Sequence, residues 1–182
     1  MKLSEFDYNL PKNLIAQYSL PSRDSSRLMI LDRGNNSIDH NIFSNFPDYL
    51  HNGDLLVLNN TKVFPARLIG TKKKTGGKVE ILLTQETEPG IWKAMLKSTG
   101  KLKENMEISF IFNGLSATIV GRDKNKERDD RGLWLIQFNC EESIKKIFDK
   151  IGLVPLPPYI KRDQNKPSAS LDKERYQTEY AS

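Results

Sequence analysis

The sequence is poor in the residues that make ready-made chemistry. It has one cysteine, Cys140, so no intrachain disulfide can form, and a reducing, cytosolic compartment is expected. Its two histidines, His40 and His51, lie far apart with no second cysteine to join them. That leaves no ligand set for a structural zinc, and no metal is expected. No apolar run approaches membrane-spanning length, and "MKLSEFDYNL" contains no apolar stretch of the kind a secretory leader needs. No GxGxxG is present, which removes support for a dinucleotide fold. "GTKKKTGGKVE" (70–80) looks at first like a phosphate loop. A Walker A motif ending at Gly77-Lys78 would need glycine at 72 and serine or threonine at 79, and the chain has Lys72 and Val79.

What is present is a moderately apolar chain of 182 residues, 37% hydrophobic, with a net charge of +5. This is enough apolar material for a core, and the length suits one large domain or two small ones. The mild positive excess permits an anionic partner without identifying one.

Along the chain the texture changes twice. Near the N-terminus, Pro11 can open a short helix running to Gln17. "RLMILD" (27–32) reads as a strand, and Phe43, Phe46 and Leu50 as an irregular helix containing Pro47. The apolar run Leu55–Leu58 reads as a second strand, and this strand–helix–strand order predicts an α/β layer. After Pro65, six strand-like runs follow: 66–71, 78–85, 91–97, 107–113, 115–122 and 132–138. Several alternate with period two, as in Ile108/Phe110/Phe112 and Trp134/Ile136/Phe138. Turn pairs separate them: Gly76-Gly77, Pro89-Gly90, and Asn113-Gly114, which suits a type I′ hairpin. "DKNKERDDR" (123–131) reads as a solvated loop. Short strands at such spacing predict a small antiparallel barrel. From Cys140 onward, Ile144, Ile147, Phe148 and Ile151 form one helical stripe stopped by Gly152. The predicted organisation is α/β plus all-β. A small antiparallel β-barrel (63–138) is inserted into a discontinuous α/β domain made of 1–62 and 139–182.

Candidate sites have plain and functional readings. The cluster Lys72, Lys73, Lys74 and Lys78 is a hairpin with solvated lysines, or a set of RNA phosphate contacts. Asp129-Asp130 and Glu141-Glu142 read as solvated rather than catalytic. Cys140 has no histidine nearby to activate it and reads as a half-buried thiol. "VPLPPYIKR" is a rigid extended connector or a partner-binding segment. Arg175, Tyr176, Gln177 and Tyr180 form an amphipathic terminus or a stacking surface for a base. The sharpest question is posed by Asn59, Asn60, Thr61 and Lys62. Two amides, a hydroxyl and an amine follow an apolar run, either as a ligand site outside a strand's carboxyl end or as a crossover capped by Asx turns.

Several segments together resemble a known family. "LIAQ" with "RDSSRLMILDR", then "GDLLVLNNTKVFPARLIGTKKKTGGKVEILL", "GLVPLPPYIKR" and "DKERYQTEYA" are similar to the S-adenosylmethionine:tRNA ribosyltransferase-isomerases of queuosine biosynthesis, in order and spacing over nearly the whole chain. Ser19 and Glu179 depart from the family's usual proline and small apolar residue. The family's chains are nearly twice as long, and the next family signature is expected after Ser182. The resemblance therefore implies an N-terminal part, without activity by itself.

The resemblance implies transfer and rearrangement of the ribosyl group of S-adenosylmethionine, not its methyl. The acceptor is the aminomethyl group of a 7-deazaguanine at the tRNA wobble position, and epoxyqueuosine, adenine and methionine result. It further implies a cytoplasmic, monomeric enzyme that holds the tRNA anticodon arm and needs no metal or membrane. Asn59, Asn60, Thr61, Lys62 and Arg67 are then expected to line the cofactor or base pocket, with Lys62 or Arg67 on a carboxylate or phosphate. Tyr159, Arg175, Tyr176 and Gln177 are expected to form another wall. The resemblance identifies no general base among these residues. The competing reading is a noncatalytic RNA-binding module built on the barrel.

Overall fold

The computed structural model describes residues 2–123, 132–140, 144–162 and 169–181. Most of the solvated loop 123–131, Asp129-Asp130 and Glu141-Glu142 lie outside the described residues. The chain forms two compact units, Met1–Asn60 with Pro157–Gln164 and Thr61–Leu156 with Asn165–Ser182.

The second unit is built on a closed barrel of six antiparallel strands. These are β3 (Arg67–Lys72), β4 (Lys78–Glu88), β5 (Ile91–Ser98), β6 (Glu107–Ser109), β7 (Ser116–Arg122) and β8 (Trp134–Phe138). They follow the order β3-β4-β5-β8-β7-β6, and β6 closes back onto β3 through Thr71 and Lys72. Closure leaves no long free edge, which matters for a chain with so many short strands. The alternation read from the sequence is the alternation of burial. Val79, Ile81 and Leu83 point inward from β4, and Trp134, Ile136 and Phe138 from β8. Asn113 and Gly114 both have positive φ, 41° and 69°, as a type I′ turn requires. β6 is shorter than expected because the chain leaves the ladder after Ser109. Phe110 and Leu115 then bond backbone to backbone around the turn, and Ile111 points fully into solvent.

One end of the barrel is closed by α1 (Ile144–Ile151). Ile144, Ile147 and Phe148 are buried within the barrel's own core, and Phe148 is wholly inaccessible. Its ring meets Phe64, Trp92 and Phe138 edge-on at 5.2, 5.6 and 5.9 Å between centroids, the arrangement aromatic quadrupoles favour. The expected domain joined 139–182 to the N-terminal segment; the apolar stripe of α1 finds its cover inside the barrel, while Pro157–Gln164 clusters with Met1–Asn60. Gly152 ends the helix, its N–H donating to the carbonyl of Phe148 at 2.7 Å. No side chain fits there: an added Cβ would lie 2.1 Å from the carbonyl oxygen of Pro65. Just beyond, Leu153 and Arg67 exchange backbone hydrogen bonds of 2.8 and 3.1 Å, tying the helix exit to the first barrel strand. A further helix, α2 (Ala169–Arg175), is anchored to α1 by Lys173, whose Nζ donates to the carbonyl of Asp149 in α1's last turn.

The first unit departs from expectation. Its sheet is a hairpin of β1 (Arg27–Asp32) and β2 (Ser37–Ile42) joined through Asn36 at φ 52°. Phe43–Tyr49 is a 3₁₀ helix containing Pro47, with Phe43 and Phe46 stacked at 5.4 Å, and Pro11 caps another 3₁₀ turn at Lys12–Leu14. Among the described residues no strand spans 54–58. The run has no regular structure and is open, with Leu55 89% and Val57 83% exposed. An apolar run becomes a strand only where a ladder partner is available, and the described residues supply none to it. The predicted α/β layer is accordingly not found in the described residues of this unit.

Phe148→Ala should destabilise the chain by about 3–5 kcal/mol, the range for emptying a large aromatic site, whereas Ile111→Ala should change stability by less than about 0.5 kcal/mol. Urea denaturation of both variants tests this, and equal losses would contradict the role given to Phe148.

Candidate functional site

The segment that starts the barrel unit is Thr61-Lys62-Val63-Phe64-Pro65-Ala66-Arg67, and the unit boundary falls between Asn60 and Thr61. Asn59, Asn60, Thr61 and Lys62 are all exposed. From Val63 onward the chain is progressively buried. Phe64 packs on Phe148, and a tight bond of 2.7 Å from the Ala66 N–H to the Phe64 carbonyl folds the backbone around Pro65. The polar stretch is therefore displayed directly before a firmly seated anchor.

A second anchor comes from far along the chain. The Gln177 side chain clasps the backbone of Val63: its Oε1 accepts from the Val63 N–H at 2.7 Å, and its Nε2 donates to the Val63 carbonyl at 2.7 Å. One amide thus satisfies both polar groups of one residue, much as a strand neighbour would. Gln177, expected in a pocket wall, has its amide on the backbone beside Lys62. Arg175 is half-buried and Tyr176 exposed, on the end of α2 and just past it.

The first unit contains a parallel device. Gln17 accepts from the Lys161 N–H at 2.7 Å and donates to the carbonyls of Tyr159, at 3.2 Å, and Ile15, at 3.1 Å. Arg162 donates to the Gln17 carbonyl at 2.6 Å and covers the Tyr18 ring at 4.6 Å. Tyr159 itself is exposed, held by its backbone while its ring remains accessible. Gln17 carried no weight as a site residue in the sequence. Its signal was faint, a glutamine beside an apolar pair with a partner more than a hundred residues away.

Arg67 lies on the barrel wall. Its Nε donates to Glu80 Oε1 at 2.7 Å across the β3–β4 pair, and both side chains are about one-third exposed. The hydrogen bond from Arg67 holds the Glu80 carboxyl below its ordinary pKa. Partial burial opposes the shift, and the charges of Arg67, Lys97 and Lys78 reinforce it. Of the two cations expected to meet a carboxylate or phosphate, Arg67 already has one internal carboxylate, while Lys62 is exposed.

The lysine cluster divides. Lys72 is buried, 6% exposed, and its Nζ donates to the carbonyls of Thr99, at 2.7 Å, and Lys101, at 3.2 Å. This corrects its reading as a phosphate contact: its charge is spent inside the protein, pinning the loop after β5. Lys73 pairs with Glu107 at 2.5 Å and draws that carboxyl's pKa down. Lys74 and Lys78 are exposed. Cys140 is half-buried against the barrel core. Among the described residues no group of three or more potential metal ligands occurs, and no helix is long and apolar enough to cross a membrane.

These features define a closed antiparallel barrel, plugged by a helix, whose first strand is preceded by an exposed Asn-Asn-Thr-Lys segment, with Val63 just after it clasped by a distant glutamine. The chain belongs to the queuosine biosynthesis protein family, whose model matches residues 3–182. It is 44% identical over 181 residues to an S-adenosylmethionine:tRNA ribosyltransferase-isomerase from Sulfurihydrogenibium sp.. It is 43% identical over 182 residues to that of Clostridioides difficile. Each alignment covers 100% of this chain and 50% of the relative, so the chain spans about half the length of these relatives. A crystal structure of S-adenosylmethionine tRNA ribosyltransferase from Thermotoga maritima aligns at 41% identity over 81% of this chain and 48% of that one, with a TM-score of 0.38.

Two outcomes test this geometry. Gln177→Ala should speed hydrogen exchange at the Val63 amide by roughly two- to tenfold, the equivalent of one net hydrogen bond; unchanged exchange would mean that the clasp is not formed in solution. Because Glu80 has a depressed pKa, its stabilising contribution is present above the unfolded carboxylate range and disappears as pH falls through its folded value. The stability advantage over Glu80→Gln should therefore be present at neutral pH and vanish in acid. A pH series of thermal melts reads it directly.

Proposed function

We propose that this chain supplies one part of an S-adenosylmethionine-dependent tRNA ribosyltransferase-isomerase. The observation that carries the reading is the alignment of the whole chain with relatives bearing that name. The transferred group is the ribosyl moiety, and the acceptor is the aminomethyl nitrogen of 7-aminomethyl-7-deazaguanine at the wobble position of the anticodon arm. The product is epoxyqueuosine. The sulfonium acidifies the C5′ hydrogens, and a general base removes one. Adenine departs, the amine bonds to the ribosyl carbon, and closure of the epoxide breaks the carbon–sulfur bond and releases methionine. Such a path needs a positioned base and donors aimed at developing charge.

In this reading Asn59, Asn60 and Thr61 offer donors and acceptors to cofactor or base, and Lys62 offers the cation for a carboxylate or phosphate. Support comes from their exposure and from the rigid anchoring of Val63 and Phe64 directly behind them. A backbone fixed directly behind Lys62 favours the close positioning that catalysis demands. The reaction is cytoplasmic, and the 182 residues by themselves are expected not to release adenine.

The test is a half-swap. The matching half of a full-length relative is replaced by these 182 residues, and adenine release is measured with S-adenosylmethionine and tRNA bearing the aminomethyl base. A folded chimera that releases adenine supports the reading, and a folded but inert one refutes it. Within an active chimera, Lys62→Ala should lower turnover at least tenfold more than Lys73→Ala, whose charge is already spent on Glu107. Equal losses would move the pocket elsewhere.

A further inference from the structure

On the barrel surface, an open groove runs between the end of β5, the loop after it and the β7–β8 edge. Met95 and Leu96 form its floor, Lys101 and Lys103 one rim, and Arg122 with Trp134 the other. Among the described residues that line it, none is acidic. Of the described carboxylates nearby, Asp123 is held by Lys93 at 2.7 Å and Glu104 lies beside Gly121.

The rim is built rather than accidental. Arg122 and Trp134 face each other across the β7–β8 pair, and the guanidinium carbon lies 3.9 Å from the centre of the indole ring. Arg122 donates from its Nη1 to the Gly132 carbonyl at 2.7 Å. Gly132 has φ 66°, a conformation that favours glycine, and a Cβ there would lie 2.2 Å from Nη1 and displace the guanidinium. Trp134 is buried, whereas Arg122 is exposed. A planar cation is thus held over an indole and remains accessible. Opposite it, buried Lys72 holds the carbonyls of Thr99 and Lys101, which sets the backbone that presents Lys101 and Lys103.

A planar guanidinium and two ammonium groups lining one groove are the chemistry that takes an unpaired base and its flanking phosphates. We propose that this groove binds a single-stranded RNA segment, with one unpaired base stacked on Arg122 and the neighbouring phosphates on Lys101 and Lys103. The inference rests on the reading of this chain as part of a tRNA-modifying enzyme, and adds to it a docking surface on the barrel separate from the Asn59–Lys62 segment.

Fluorescence anisotropy with a short unstructured oligoribonucleotide, and with a duplex of the same length, tests it on the 182-residue chain. The chain should prefer the single strand. Arg122→Ala should weaken binding about tenfold, as loss of one stacked base does. Arg122→Lys keeps the charge but not the plane, and should lose most of the same affinity. Lys101→Ala and Lys103→Ala should each lower the salt-dependence slope by about one. Thermal melts confirm that each variant is folded, and Arg122→Lys remains informative if Arg122→Ala is not. Absence of RNA binding, equal affinity for the duplex, or full affinity in Arg122→Lys would each overturn the inference. An active half-swap chimera beside a barrel that fails these tests would sink this inference alone. An inert folded chimera beside a barrel that passes them would sink only the ribosyl-transfer reading.

Discussion

The barrel unit depends on a single plug. Six short strands enclose a core, but a barrel has two ends, and an open end would leave Phe64, Trp92 and Phe138 facing water. Phe148 fills that end, edge-on to all three. Its position brings α1 onto the barrel, the close approach at Gly152 admits the Pro65 backbone, and the Leu153–Arg67 bridge then fixes the start of β3. Each step depends on the one before. The exposed Asn-Asn-Thr-Lys stretch is displayed on a rigid base because the residues immediately after it belong to this plug.

Polar side chains in this protein are used repeatedly as internal fasteners. Gln177 clasps Val63, Gln17 clasps the backbone at 159 and 161, and Lys72 pins the loop at 99–101. In each case a long side chain supplies hydrogen bonds that a regular ladder would otherwise provide to irregular backbone. This suits a chain whose loops, rather than its strands, carry the residues of chemical interest. The lysine at 72 shows how a charge run can mislead: Lys72 is the last, inward-facing residue of β3, while Lys73 and Lys74 lie in the exposed turn that follows.

The barrel was legible in the sequence because its information is local. Period-two alternation and paired turn residues place each strand and hairpin to within a few residues, and Asn113-Gly114 adopts the backbone its composition demands. The helix over Ile144–Ile151 was equally plain, but its docking face was not, since a stripe says that something covers it and not what. The α/β layer is not found among the described residues for a related reason. Leu55–Leu58 has the composition of a buried strand, yet strand formation needs a partner that composition does not name. Long-range polar clasps leave almost no local trace. The Arg122–Trp134 pair was also hidden, because the bulge between Ile119 and Gly121 shifts the register by which it could have been inferred.

The glutamine clasp has a consequence for the order of events during synthesis. Val63 and Gln177 are separated by 114 residues. At about 5–20 residues per second, the ribosome reaches Gln177 roughly 6–23 seconds after Val63. Throughout that interval the Asn-Asn-Thr-Lys segment has left the decoding centre while the residue that immobilises the backbone beside it has not yet been made. The segment is therefore translated well before the residue that holds the backbone beside it.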